Sequence, residues 1–484
     1  MTPLHSGERP ALLCISQSFA PDTTPTAIRA SKLLEQLSAR WDITVLSEAD
    51  GLRGDSRVKV EIARSWRPRK LLASLRRMRL SKLLELGMWP DESIFWVAPA
   101  VLAGRRLSCA RRPAAIVVFM MPYSAGLAGI ALSRLTRLPL ILNLDDSPTC
   151  TDMHPHFPTR LHYRLAKWLE DLYVRRADEV IYVSETNLEA VRSRQPEDVA
   201  GKLHLVRYGA DAEDFLPRAV DGEAAHDEPP HDDTAREQAP VGPPAPQERF
   251  EIAYVGAMSG WWALIEAHAP PPGVLKRLYN AWLRLGRYER MMLDQRTSSP
   301  EVIGHAILDA LAEHPDWAGR VGLTLHGNPY AADVVAQALA SAGVQDVVTA
   351  RDPVAHAQVA GILAGADLLF LTLPGRTDGS RGGRISAKTY EYLMTDRPIL
   401  AALPRGENWD YLVDKPGVWL VEPHDQERMR EVIAELAGAK FAGSARAFDR
   451  SELAEELSYE GRAVEFEAVV KAGIDRAGGR RHAP

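Results

Sequence analysis

The sequence has few cysteines, and their spacing suggests no shared site. Only Cys14, Cys109 and Cys150 occur among its 484 residues, and no two of them are spaced as C-x-x-C. An odd number of widely separated cysteines argues against a disulfide framework and against a cysteine-ligated zinc site. We therefore expect a protein of a reducing compartment, without a metal site.

A long apolar run and an excess of positive charge are also missing. No stretch approaches the roughly 18–20 apolar residues that span a bilayer, and residues 1–10 lack the apolar core of a secretory signal. The 58 Lys and Arg residues are outnumbered by 64 Asp and Glu residues, which gives a formal net charge of −6. This balance argues against nucleic acid as the main partner. We expect a cytoplasmic protein.

One segment divides the chain. Single hydrophobic cores stop growing at roughly 250–300 residues, so a chain of this length should form more than one domain. Residues 221–248 contain eight acidic residues and six prolines but only one large aliphatic residue, too little apolar area to offset the entropy of ordering. We predict an N-terminal domain (1–217), a disordered acidic, proline-rich insert (218–248), a C-terminal domain (249–444) and a terminal helix with a disordered end (445–484).

Short apolar runs alternate with helical patterns on both sides of this insert. Examples are Ala115–Phe119 and Leu140–Leu144 before it, and 367–373 and 398–402 after it. Continuous apolar runs are typical of strands buried on both faces of a parallel sheet. The pattern predicts an α/β fold with two Rossmann-like, doubly wound parallel sheets. Ligands bind beyond the carboxyl ends of such strands, so the two domains should share one cleft.

Residues 383–393 are the most informative part of the sequence. They follow a glycine-rich loop and begin a predicted helix. A helix start favours phosphate, and Arg384 and Lys388 add positive charge. Glu391, one turn further along, can accept two hydrogen bonds from a vicinal diol such as that of a ribose. A phosphate-binding helix start next to a carboxylate that binds a diol predicts a site for a nucleoside diphosphate. The alternative is an exposed Lys388–Glu391 ion pair, worth only about 0.2–0.5 kcal/mol.

Residues 386–393, together with 397–400, resemble the donor-site helix of GT-B glycosyltransferases, particularly the large family 4 of retaining enzymes. Residues 250–257 are similar to the strand and glycine turn that open the family's second domain. Residues 323–327 are similar to its next inner strand, and 202–211 to the strand that closes its first domain. The resemblance implies a GT-B fold, with two Rossmann-like domains facing a central cleft and a last helix that crosses back to the first domain.

The same resemblance assigns roles to individual residues. The donor would be bound on the second domain, where Arg384 and Lys388 would stabilise the departing diphosphate without a metal. We expect no cofactor other than the nucleotide-sugar co-substrate. Retention of configuration is implied only by the family, in which a phosphate oxygen of the leaving group takes the acceptor proton. The donor-binding residues implied are Gly256, Arg384, Ser386, Lys388, Tyr390 and Glu391.

Two acidic residues, Asp145 and Asp146, follow the apolar run Leu140–Leu144 at the edge expected to face the cleft. Family members often carry an Arg followed by an Asp here, so Asp146 matches the Asp and Asp145 stands in the Arg position. Both would contact the acceptor, and Asp146 is a candidate catalytic residue that recognises or deprotonates its hydroxyl. The alternative is that Asp146 caps a helix or orders the loop.

The sequence departs from the family pattern at three places. Thr24-Pro25 replaces a glycine pair that approaches the donor phosphate, and Gly383 replaces the first Glu of a Glu-x7-Glu pattern. Residues 258–262 offer no cation where an Arg or Lys is usual. The diphosphate would then be met by Arg384 and Lys388, with Arg376 or Arg381 as further candidates.

Residues 64–82 contain eight basic residues and no acidic one, interleaved with Trp, Leu and Met. This pattern predicts a basic amphipathic helix that can dock on anionic lipid. The alternatives are a solvated basic face or a groove for a phosphate-rich acceptor. Lipid contact would make the protein peripheral at the inner membrane face and the acceptor a lipid-linked saccharide.

The combined prediction is a nucleotide-sugar-dependent hexosyltransferase, with retention implied by the family resemblance. It would transfer a sugar to a hydroxyl of a saccharide or lipid-linked saccharide, in polysaccharide or glycan synthesis. Two alternatives stay open. A GT-B sugar-nucleotide epimerase would share both domains, and a catalytically silent scaffold would explain the missing Glu and glycine pair.

Overall fold

Two parallel β-sheets, one in each half of the chain, organise the computed structural model. It describes residues 9–22, 24–48, 57–152, 154–215, 249–269 and 271–482. The acidic insert predicted at 218–248 lies outside these residues. No helix among the described residues is long and apolar enough to cross a membrane.

The first sheet has the strand order β3-β2-β1-β4-β5-β7-β8, and all its strands run parallel. Strands β4 and β5 are buried along their whole length, and Asn143 is their only polar residue, as expected for the centre of a parallel sheet covered on both faces. The first domain's strands are β1 (Ala11–Ser16), β2 (Asp42–Ser47), β3 (Lys59–Ile62), β4 (Ala115–Phe119), β5 (Leu140–Leu144), β6 (His156–Phe157), β7 (Glu179–Tyr182) and β8 (Leu203–Leu205).

The helices of this domain connect its parallel strands and cover both faces of the sheet. They are α1 (Pro25–Leu37), α2 (Arg69–Arg77), α3 (Ser81–Gly87), α4 (Ile94–Arg111), α5 (Ala125–Thr136), α6 (Arg160–Arg176), α7 (Glu185–Arg192) and α8 (Glu197–Ala200). The prediction of one helix over 64–82 is wrong. Residues 64–68 precede α2, and Arg79 between α2 and α3 has a φ of +59°, a left-handed conformation that interrupts a right-handed helix.

The second sheet, also parallel, has the order β13-β12-β9-β14-β16-β17. The second domain's strands are β9 (Phe250–Val255), β10 (Tyr288–Glu289), β11 (Leu293–Asp294), β12 (Val321–His326), β13 (Val348–Arg351), β14 (Leu368–Thr372), β15 (Gly375–Arg376), β16 (Ile399–Ala402) and β17 (Val418–Val421). The predicted fold class, two doubly wound parallel sheets, is confirmed. The short strands β6, β10, β11 and β15 were not predicted.

The remaining helices belong to the second domain or lead back from it to the first sheet. They are α9 (Gly260–His268), α10 (Val274–Arg284), α11 (Pro300–Glu313), α12 (Ala332–Ser341), α13 (His356–Gly365), α14 (Ala387–Leu393), α15 (Glu407–Leu412), α16 (Gln426–Phe441), α17 (Ser451–Leu457) and α18 (Tyr459–His482). Helix α18 packs on the first domain beside α1. Its Phe466 stacks on Phe119 at 5.9 Å between ring centroids, and Trp41 donates a hydrogen bond to Glu467.

Contacts between the domains hold the two sheets on opposite sides of a cleft. Strand β6 of the first domain pairs antiparallel with β10 of the second. The Glu407 carboxylate, at the start of α15, accepts hydrogen bonds from Ser184 Oγ and from the main-chain N–H groups of Glu185 and Thr186 at the start of α7. The carboxyl ends of both sheets therefore open into the same space.

Candidate active site

A cavity of about 1940 Å³ lies between the two domains. Its walls come from the segments that follow parallel strands: Gln17 and Ser18 after β1, Asp146 near the end of β5, Gly256 after β9 and Gly327 after β12. Open α/β sheets bind ligands at this position. The predicted shared cleft is therefore present, and it is the candidate active site.

Lys388 and Gly256 meet at the end of the central strand of the second sheet. Gly256 has a φ of +105°, and a β-carbon on it would lie 2.9 Å from Lys388 Cε and 3.0 Å from Lys388 Nζ. The same Nζ lies 5.2 Å from the centroid of the Tyr254 ring, within the range of a cation–π contact. The absence of a side chain at Gly256 thus lets the ammonium group lie against the strand end.

Glu391 lies one turn further along α14 and lines the same cavity as Lys388. Both side chains are partly buried, so the alternative of an ion pair on an exposed surface does not describe them. Ser386 is the N-cap residue of α14, and it too lines the cavity.

The side chain of Tyr390 belongs mainly to the hydrophobic core. It is buried, packs among the apolar residues beneath the cavity and contacts the ring of Tyr411 at 5.7 Å between centroids. Burial raises the pKa of its hydroxyl above the usual range. Tyr390 also contributes to the cavity lining, so it forms part of the cavity floor.

Asp146 and Arg384 come from different domains and interact electrostatically across the cleft. Both line the cavity. Burial raises the pKa of Asp146 to about 6, the Arg384 charge opposes that increase, and the nearby Asp145 charge adds to it. Thr151 Oγ1 also donates a hydrogen bond to Asp146 Oδ1 at 3.2 Å. The structure therefore brings together one residue predicted on the acceptor side and one predicted on the donor side.

Asp145 is placed differently. Its carboxylate is buried and lies 3.4 Å from Arg29 Nε. It accepts hydrogen bonds from Asn143 Nδ2 at 2.7 Å and Tyr208 OH at 3.1 Å. Because these partners occupy its oxygens beneath the cavity surface, this position does not fit the expectation that Asp145 contacts the acceptor. Arg29 in turn donates to the main-chain oxygen of Val206, so Asp145 stabilises the first domain.

Two of the cations considered for the diphosphate also lie outside the cavity lining. Arg376 pairs with Asp152 of the first domain, and Arg381 pairs with Asp410. Their partners are acidic residues distant in sequence, which the sequence pattern does not reveal. Of the four candidate cations, Arg384 and Lys388 line the cavity.

The segment that replaces the family's glycine pair still reaches the cavity. Thr24, Pro25 and Thr26 line it at the start of α1. Pro25 occupies the first turn of the helix, where a missing N–H has no intrahelical partner to lose. The first domain therefore presents the start of a thirteen-residue helix to the cavity.

Arg64 and Arg69 are cavity-lining residues that were not singled out from the sequence. Both are exposed and lie on the first-domain side of the cleft. The only sequence signal was their membership of the basic segment 64–82. His326 ends β12 and also lines the cavity. Burial and the Arg351 charge lower its pKa.

Comparison with known proteins agrees with this architecture. Residues 26–209 match the sequence model of a family described as a glycosyl transferase 4-like domain. No curated protein is significantly similar in sequence to this chain.

Several solved structures are similar over nearly the whole chain. Sucrose-phosphate synthase from Thermosynechococcus elongatus is 14% identical, covers 96% of this chain and 98% of its own, and gives a TM-score of 0.59. The α,α-trehalose 6-phosphate synthase from Burkholderia multivorans is 14% identical, and the match covers 99% of each chain with a TM-score of 0.59. HepE from Anabaena, solved in complex with UDP-glucose, is 16% identical. The match covers 96% of this chain and 100% of HepE, with a TM-score of 0.54.

At these identities the solved structures show the fold, and the family match covers the first domain. The solved structures cover 96–99% of this chain, so the similarity of fold extends over both parallel sheets. The predicted GT-B fold is thereby confirmed for this chain, and its residues 26–209 are similar to the glycosyl transferase 4-like domain family.

Proposed function

We propose that this protein transfers a hexosyl group from a nucleoside-diphosphate sugar on the second domain to a hydroxyl group of an acceptor on the first. One observation carries this proposal: Lys388 and Glu391, one turn apart on α14, both line the cavity beside Gly256. With this placement the cation can meet the diphosphate of a nucleoside diphosphate, and the anion can accept hydrogen bonds from its ribose. The similar fold of HepE, solved in complex with UDP-glucose, supports it.

The donor is bound by groups with separate tasks. Lys388 and Arg384 attract the diphosphate, and Ser386 donates a hydroxyl hydrogen bond to a phosphate oxygen. Gly256 allows a phosphate to approach the end of β9 because it has no side chain. Glu391 accepts hydrogen bonds from the ribose hydroxyls.

Transfer breaks the bond between the sugar C1 and the diphosphate oxygen and forms a bond from C1 to the acceptor oxygen. The leaving diphosphate gains negative charge, which Arg384 and Lys388 stabilise more strongly than in the ground state. We propose retention of configuration, with the acceptor proton passing to a phosphate oxygen of the leaving group. Asp146 orients the acceptor hydroxyl, and Arg384 favours the charged form of its carboxylate. No cofactor takes part in this scheme.

Two exposed cations lie on the acceptor side of the cavity. Arg64 and Arg69 line it, and Arg69 begins α2 in the basic segment. We propose a saccharide acceptor that carries a phosphate group, as a lipid-linked saccharide in polysaccharide or glycan synthesis does. The basic segment 64–82 would then contact anionic lipid from the cytoplasmic side, and the protein would be peripheral.

Calorimetric titration of the purified protein with UDP-, GDP- and dTDP-hexoses tests the activity class. We expect one of these donors to bind with a stoichiometry of one. A protein that binds none of them is not a nucleotide-sugar enzyme, which would favour the scaffold. Conversion of a bound donor to its epimer without an acceptor would favour the epimerase.

A further inference from the structure

Helix α10 exposes its apolar side chains. None of its residues is buried, although it alternates leucines with cations in an amphipathic pattern. The side chains of Leu275 and Leu278 are 77% and 63% exposed, and Leu285, just beyond the helix, is 68% exposed. A surface helix normally turns its apolar stripe to the protein core. An apolar stripe facing outward marks an interaction site.

A lysine of the first domain holds the end of this helix. Lys82, whose side chain is buried, donates hydrogen bonds from Nζ to the main-chain oxygens of Trp282 at 2.8 Å, Leu283 at 3.2 Å and Leu285. These carbonyls lie at the C-terminal end of α10, where a cation satisfies acceptors and complements the helix dipole. Helices α3 and α10 are thereby joined, although they belong to different domains.

A second contact extends the junction towards α2. The Arg79 guanidinium lies 5.8 Å from the centroid of the Tyr279 ring. Residues 64–87 and 271–287 therefore meet at two places along α10, and we call them together the α2–α3–α10 surface. They contain twelve Lys and Arg residues and one acidic residue, Glu85.

Exposed apolar side chains are interleaved with these cations on both parts of the surface. Besides the leucines of α10, the first domain contributes Trp66, Leu71, Met78 and Leu83, each more than half exposed. Amphipathic helices with leucine and tryptophan on one face and Lys or Arg on the other lie in the interface of a bilayer. An excess of eleven positive charges complements an anionic lipid surface rather than a neutral one.

We propose that the α2–α3–α10 surface docks on an anionic lipid bilayer, with the leucines of α10 inserted among the lipids and the cations of α2, together with Arg79, on the headgroups. Arg69 both begins α2 and lines the cavity, so the cavity opens beside this surface. A lipid-linked molecule can then reach the cleft from the bilayer. The docking itself needs no donor and stands apart from the transfer reaction.

Co-sedimentation of the full-length protein with vesicles tests the proposal. One vesicle type is phosphatidylcholine alone, and the other contains equal parts of phosphatidylcholine and phosphatidylglycerol. We expect the protein to bind the anionic vesicles, to bind them less in high salt, and not to bind the neutral ones. Leu275→Asp with Leu278→Asp should lower the bound fraction about tenfold, because charged groups are costly to insert among lipids. Arg77→Gln with Arg79→Gln should weaken binding to anionic vesicles and remove part of its salt dependence.

Val464→Asp is the matched control. Val464 is also more than half exposed, but it lies on α18, which packs on the face of the first sheet that carries α1. This variant should bind vesicles like the wild type. Because α10 has no buried residue, the two α10 substitutions should leave the melting temperature and donor binding unchanged, which separates this proposal from the proposed activity.

Two outcomes would overturn the proposal. One is a wild-type protein that does not sediment with anionic vesicles. The other is a double α10 variant that binds them as strongly as the wild type. Concentration-dependent dimerisation that the α10 substitutions abolish, without vesicle binding, would assign the surface to a second copy of the chain.

Discussion

The ammonium group of Lys388 lies 3.0 Å from the point that a β-carbon on Gly256 would occupy. The end of β9 and the face of α14 are therefore in van der Waals contact at the wall of the cavity. A phosphate placed there meets a formal positive charge and a strand end that carries no side chain. On the proposed function, this contact is the reason to expect that Gly256 matters for donor binding beyond its positive φ.

Gly256→Ala should reduce donor affinity at least tenfold, since the new methyl group displaces the Lys388 side chain. The control is Gly319→Ala. Gly319 also has a positive φ, of +74°, but an added β-carbon there has open space. Both variants should lose about 1–2 kcal/mol of unfolding free energy from the strained φ, while the control keeps its donor affinity. Equal affinities of the two variants by calorimetry would contradict the contact.

Asp146 should make the folded state less stable as pH rises. Its folded pKa of about 6 lies above the ordinary aspartate value of 3.8, so ionisation is disfavoured in the folded protein. The cost is absent below about pH 4, grows between pH 4 and 6, and reaches about 3 kcal/mol above pH 6. Asp146→Asn should therefore raise the free energy of unfolding at pH 8 and leave it unchanged near pH 4. Urea unfolding at both pH values measures this difference.

The same group should shape the pH profile of transfer. If the Asp146 carboxylate orients the acceptor, turnover by the wild type rises as pH passes through about 6. Asp146→Asn should lower turnover and remove this limb of the profile while donor binding persists. A variant with an unchanged profile would place the acceptor elsewhere.

Asp145 and Asp146 are adjacent in sequence and should respond oppositely to the same substitution. Asp145→Asn leaves the buried Arg29 without its counter-charge, which typically costs 3–5 kcal/mol. We therefore expect Asp145→Asn to lower the melting temperature at pH 8, where Asp146→Asn raises it. Comparable stabilities of the two variants would show that Asp145 does not hold Arg29.

Glu407 should control the closure of the two domains. Burial raises the pKa of its carboxyl, but hydrogen bonds from Ser184, Thr186, Glu185 and Arg207 outweigh this and lower the pKa overall. Its contribution is therefore present at neutral pH and lost as pH falls through the folded pKa. Glu407→Gln offers one acceptor oxygen in place of two, so a main-chain N–H group at the start of α7 loses its hydrogen-bond partner. Leaving such a buried donor unpaired costs about 1–3 kcal/mol of stability.

Small-angle scattering of the ligand-free protein measures the consequence. We expect Glu407→Gln to increase the radius of gyration, because the domains open. Glu422→Gln is the control, since Glu422 pairs with Arg405 within the second domain. An unchanged radius in Glu407→Gln would assign closure to the β6–β10 contact and the Arg376–Asp152 pair instead.

The sequence predicted the parts of this fold that depend on residues close together in the chain. The central strands β4, β5 and β14 are apolar except for Asn143 and Thr372, and Lys388 and Glu391 occur at helical spacing after β14. Residues such as Arg29, Lys82 and Glu407 were missed because their partners are about 110 to 220 residues away in sequence. A charged residue in such a pair looks like any solvated residue until the fold brings its partner close.

The same reason explains the errors. Asp145 looks like a cleft residue because it follows β5, yet Arg29 on α1 takes its carboxylate. The basic segment looks like one helix, yet the left-handed conformation of Arg79 separates α2 from α3, and Lys82 on α3 donates a hydrogen bond to the end of α10. No local pattern records the Asp145–Arg29 contact or the contact of Lys82 with α10.

The central claim is that Glu391 holds the ribose while Lys388 meets the diphosphate. The most direct test compares the affinity of the preferred nucleoside diphosphate with that of its 2′-deoxy analogue, by calorimetry, for the wild type, for Glu391→Gln and for the exposed control Glu427→Gln. We expect the wild type and the control to bind the ribose form about tenfold more tightly, as a hydrogen bond to a charged group provides, and Glu391→Gln to lose most of this preference. A Glu391→Gln protein that still distinguishes the two nucleotides as the wild type does would contradict the account.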